Sequence, residues 1–137
     1  MHSSRLKWAS ALSTRPSLEA AVKEVSEQAQ RLLQDSADLG LVFISSAFAS
    51  EYSRLMPLLK EHLTSAPFLI GCGGGGVVGV NAAEQIQEIE GEAALSLTLA
   101  RLPDVKIHPF HIEIENLPDL DGPPDAWSTL VGVLPQD

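Results

Sequence analysis

Two short runs without a single charge, Leu39-Gly40-Leu41-Val42-Phe43-Ile44-Ser45 and Pro67-Phe68-Leu69-Ile70-Gly71-Cys72, restrict this chain more than any other feature. Runs of this length, rich in Val, Ile and Phe, read as strands buried on both faces. Between them lies a segment of helical period, residues 48–64, with Phe48, Tyr52, Leu55, Leu59 and Leu63 on one side. Strand, helix, strand is long enough for a parallel crossover, with the helix covering the sheet. Pro57 sits inside that helix and predicts a kink or two short helices, because proline lacks the donor for one helical bond.

A helix is predicted over 17–34, ahead of the first run. Leu18, Ala21, Val22, Val25, Ala29, Leu32 and Leu33 recur at helical spacing, and Lys23, Glu24, Glu27, Gln28 and Arg31 fill the other face. Ser17 is placed to cap it. Before it, residues 1–12 hold Trp8 on a short strand or turn. After the second run, Val77–Val80 reads as extended. Leu95, Leu97 and Leu99 alternate with Ser96, Thr98 and Ala100 on a half-buried strand. Residues 105–115 alternate less cleanly, and the slip at Pro109 predicts a bulge or strand break. Trp127, Leu130 and Val131 predict a last helix over 125–133. The fold class is α/β: a mixed sheet with helices packed against it, a parallel first pair of strands and then antiparallel strands.

The acidic balance excludes some partners. The net charge is −9, and residues 61–137 hold only Arg101 and Lys106 against twelve Asp and Glu. Such a half repels phosphate backbones, so nucleic acid is not an expected partner. No apolar stretch reaches membrane-spanning length. Met1-His2-Ser3-Ser4-Arg5 leads into no apolar signal region, so a cytoplasmic location is expected. A single Cys excludes an intramolecular disulfide framework and multi-Cys zinc sites.

Gly71-Cys72-Gly73-Gly74-Gly75-Gly76 is the sharpest local motif. Ordering so many glycines costs backbone entropy and calls for a physical reason. Gly71, Gly73 and Gly76 fit a dinucleotide fingerprint, but that motif must open a helix, and Val77-Val78-Gly79-Val80 follows instead. No Lys-Ser/Thr follows for a phosphate loop. Two readings stay open. One is a tight strand-to-strand turn in which glycine supplies positive φ. The other is a cradle of bare N–H groups for a small anion. Ser45 and Ser46, at the end of the first run, would share a rim with the glycines if the two strands are parallel neighbours.

Trp8-Ala9-Ser10-Ala11, Asp38 through Ser45, and Leu69 through Gly79 together resemble the N-terminal domain of FIST proteins, regarded as ligand-sensing domains of signal transduction. Glu88-Ile89-Glu90, Ala94–Ala100 and Leu102-Pro103 extend the likeness. It implies a non-enzymatic module that binds a small ligand, with amino acids or small carboxylates as candidates, and passes a signal to a partner. It also implies a following FIST C-terminal domain, which Pro123-Pro124-Asp125-Ala126-Trp127 would approach. The chain is therefore expected to be a single such domain, the N-terminal part of a longer protein, with an apolar patch where the other half would sit. The candidate ligand-binding residues are Ser45, Ser46, Cys72, Gly73, Gly74, Gly75 and Gly76. No catalytic residue, metal or cofactor is assigned. The alternative is a protein-interaction module with no small ligand.

Other residues carry weaker chemistry. Cys72 is either a buried, inert side chain or a nucleophile needing a base such as His62, His108 or His111. His108, His111, Glu113 and Glu115 could form a loose metal site. Glu84, Glu88, Glu90 and Glu92 read as an acidic loop that could face the amine of a ligand.

Overall fold

The computed structural model describes residues 5–65 and 67–137; Met1–Ser4, with His2 and most of the N-terminal stretch read for a signal, and Ala66 lie outside the described residues. The chain forms two compact units, one ending at Asp104 and one comprising Val105–Asp137.

The first unit is built on a mixed sheet. Its elements are β1 (Lys7–Ser13), α1 (Leu18–Leu33), β2 (Leu39–Ser45), a 3-10 turn (Ser46–Glu51), α2 (Tyr52–His62), β3 (Phe68–Gly74), β4 (Gly76–Val80), β5 (Ile86–Glu90) and β6 (Leu95–Arg101). The main sheet runs β1-β6-β2-β3, and β4 and β5 form a separate two-stranded ribbon. β2 and β3 are parallel, while β6 is antiparallel to both β1 and β2. The α/β class and the parallel pair are as the sequence predicts.

α1 forms because its apolar residues fall on one stripe. Leu18, Ala21, Val22, Val25, Ala29 and Leu33 are buried together against the Leu95, Leu97 and Leu99 face of β6. Ser17 caps it by accepting from the Ala20 amide at 3.4 Å, and Gln34 ends it at a left-handed φ of 54°. Leu32 falls off the stripe and is exposed. Leu55 and Leu59 seat α2 in the same core. The break in 48–64 comes at Glu51, where a 3-10 turn hands over to the α-helix; Pro57 stays inside α2. There its missing amide leaves the Ser53 carbonyl without its helical donor.

Both helices occupy one face of the sheet. The opposite face carries Trp8, Leu39, Leu41, Phe43, Phe68, Ile70 and Cys72, which the strand register aligns with Ala100, Thr98 and Ser96. The β4–β5 ribbon covers only one end of it. There Val77 and Ile89 pack on Leu12 and Ala94, and a Cβ on Gly79 would lie 2.8 Å from the Leu12 Cβ. Elsewhere the face is open: Trp8 is 55% exposed, Phe43 42%, Phe68 48% and Ile70 61%. The expectation that both apolar runs are buried on two faces is thus corrected. Helices cover one face only, and β3 is an edge strand.

The end of the sheet near Asp38 is closed by charge. Asp38 accepts from the Arg101 guanidinium at 2.9 and 3.0 Å and from the Leu102 amide at 2.7 Å. Asp35 accepts from Lys7 Nζ at 3.2 Å.

Two further readings are revised. Residues 86–90 form β5 and not an acidic loop, because alternate side chains meet β4, with Val77 opposite Ile89. Residues 105–113 form no strand. They belong to the second unit, where Pro109 lacks a donor and no ladder partner is present among the described residues. That unit holds a 3-10 turn (Ile114–Asn116) and α3 (Asp125–Val131), closed by Gly132 at φ 79°. No residue of 105–137 is fully buried. No helix among the described residues is long and apolar enough to cross a membrane.

Candidate functional site

The β2–β3 register decides where the sequence candidates meet. Ile44 lies opposite Gly73 and Ser45 opposite Gly74, so both serines and the glycines gather at the carboxyl ends of two parallel strands. In open α/β sheets this rim is where ligands bind.

The members of the rim differ in freedom. Ser45 is buried, with 1% of its surface exposed. Its amide donates to the Ala94 carbonyl at 2.9 Å, and its Oγ accepts from the Ala94 amide at 2.9 Å. Its carbonyl accepts from the Tyr52 hydroxyl at 3.3 Å. Ser45 therefore holds the rim together, whereas Ser46 and Gly75 are exposed.

The glycines are needed for several reasons. A Cβ on Gly71 would sit 1.8 Å from the Val42 carbonyl oxygen, so a bare backbone is required where β3 approaches β2. A Cβ on Gly73 would sit 2.6 Å from the Tyr52 hydroxyl. At Gly75 a Cβ would meet nothing within 4 Å. None of Gly71–Gly76 adopts a positive φ. The run is an extended passage from β3 to β4 with a bend at Gly75, not a hairpin turn, because β4 pairs with β5 and not with β3. As β3 pairs along one edge only, alternate amides of Phe68–Gly74 point away from the ladder.

Cys72 is exposed, contrary to the buried reading, because β3 is an edge strand and the side chain lies on the open face beside Phe43. No hydrogen bond joins it to a histidine among the described residues. His108 Nε2 is 2.8 Å from the Val131 carbonyl oxygen, and His111 Nε2 is 3.0 Å from Glu113 Oε1. Among the described residues, no three His, Cys, Asp or Glu side chains gather to hold a metal ion. Glu88 and Glu90 lie on β5 opposite Val78 and Gly76, and a Cβ on Gly76 would meet the Glu90 Cγ at 3.2 Å.

The residues that sequence reasoning missed are Tyr52 and Ala94, which lock the rim through Ser45. Neither carries a local signal, since both act through contacts across the fold.

The FIST N domain family model matches residues 38–121, a span that takes in β2, the glycine run and β6. No curated protein and no solved structure matches the chain.

Proposed function

The chain belongs to the FIST N domain family, and we propose on that basis that it is a non-enzymatic sensory module of signal transduction. Its ligand is a small carboxylate, with amino acids in that class, held at the rim where β2 and β3 end. The outward amide of Gly73 and the amide of Gly75 past the ladder take the carboxylate, with Gly74 between them, and the Ser46 hydroxyl orients the remainder. Gly76 and Cys72 flank the seat, and Ser45 braces it. The observation that carries this reading is the pairing of Ser45 with Gly74, which brings the serines and the bare glycine backbone to one edge. Binding there biases a partner, a FIST C-terminal domain or another protein, only if the ligand favours one state of the pair. The acidic chain works in the cytoplasm as the N-terminal part of a longer protein.

Thermal unfolding across a panel of amino acids and small carboxylates tests the proposal. A ligand at 100 times its Kd raises stability by about 2.7 kcal/mol. The rise is expected in the native chain and absent from Gly75→Leu, whose Cβ meets nothing within 4 Å. No shift across the panel overturns the reading.

A second reading has its own observation. Trp8, Phe43, Phe68 and Ile70 are exposed on one sheet face, and β3 carries no charge to guard its edge. A protein-interaction module would use that face. Association that persists in Gly75→Leu, with no small ligand found, favours it.

A further inference from the structure

We infer that a groove along α1 in the first unit is a second, separate binding site, and that it takes small hydroxylated dicarboxylates. The groove has a volume of about 430 Å³ and runs along α1 to the turn after β4. It is lined by Arg15, Lys23, Glu24, Glu27, Gln28 and Arg31, with Ala82 on the turn side. That volume falls in the range of small-molecule sites.

The charges on it are unevenly satisfied. Arg15 Nε is 3.0 Å from Glu24 Oε2, so this pair is internally neutral. Lys23 and Arg31 have no hydrogen bond or ion pair among the described residues, although Glu27 lies one turn from each. In a chain of net charge −9, acids outnumber bases two to one, and two unpaired cations lining one groove stand out. Eight residues apart on a helix, they are spaced about 12 Å along its axis, and two long side chains can converge from that distance on one short molecule. A dicarboxylate gives each cation a carboxylate.

Gln28 supplies the hydroxyl preference. It is 6% exposed, and its Nε2 donates to the Asn81 carbonyl at 3.2 Å, which ties α1 to the turn. Its Oε1 is shielded from solvent and has no partner. A buried acceptor without a donor is unfavourable, and a ligand hydroxyl that reaches Gln28 as its contact with the turn opens would provide one. The Glu27 carboxylate offers a second acceptor at the same level of the helix.

The experiment is an NMR titration of the whole chain with L-malate at low ionic strength, where exposed charges are least screened. Succinate, which lacks the hydroxyl, is the comparison. Expected are saturable shifts at residues 15–31 and 81–85, and affinity for succinate weaker by about tenfold. Lys23→Ala/Arg31→Ala should weaken malate by about tenfold or more while leaving the unfolding midpoint in place. Gly75→Leu should leave the malate-induced shifts at residues 15–31, and the affinity read from them, unchanged, which separates this site from the rim. Shifts confined to Gly73–Gly76, equal affinity for succinate, or unchanged affinity in the double variant would each overturn the assignment.

Discussion

Ser45 and Ala94 grip each other through two hydrogen bonds of 2.9 Å, one from the Ser45 amide to the Ala94 carbonyl and one from the Ala94 amide to Ser45 Oγ. Both residues are buried. The contact joins the end of β2 to the approach to β6, and so fixes the rim from below.

Ser45→Ala removes the acceptor and leaves the Ala94 amide buried without one. The expected loss is about 1–3 kcal/mol of unfolding free energy. Urea denaturation measures it. An unchanged midpoint would show that water or a rearranged backbone replaces the hydroxyl.

The glycine run should respond unevenly to the same substitution. Gly71→Ala drives a methyl into the Val42 carbonyl and should cost about 1–3 kcal/mol or prevent folding. Gly75→Ala meets no atom and should stay within about 0.5 kcal/mol of the native chain. Equal losses at the two positions would refute a backbone-approach role for Gly71.

Asp35 gives the fold an acid-sensitive contact. A hydrogen bond from the Ser36 amide, followed by that from Lys7, holds its carboxyl below the ordinary 3.8. A depressed folded value means the stabilisation is present above the unfolded value and is lost as pH falls through the folded one. Between pH 5 and 3, roughly the window around an ordinary Asp, Asp35→Asn should therefore show a shallower fall of stability than the native chain. Parallel pH profiles from thermal unfolding would remove Asp35 from the account of acid sensitivity.

Ile70 tests the open sheet face. Its side chain already meets solvent, so Ile70→Lys should alter stability by no more than about 0.5 kcal/mol. If a protein partner or second copy uses this face, the same variant loses that association in sedimentation velocity. A large stability loss would mean that Ile70 is covered in solution.

What could be read from the residues was whatever local periodicity encodes. The stripe from Leu18 to Leu33 makes a helix wherever it finds a core, and the alternation from Leu95 to Ala100 makes a strand with one helix-facing side. The rim was legible as well, because Ser45-Ser46 and the glycine run end their strands in the same sense. The open face of β3 was not. An apolar run looks the same whether helices cover one face or both, and only strand order makes β3 an edge. Residues 105–113 alternate like a strand, yet pairing needs a partner that periodicity cannot supply. The glycine run likewise showed that bare backbone was required. Only the approach of Val42 and Tyr52 decided that the requirement was space and not positive φ, because close contact between distant segments is a property of the packed chain.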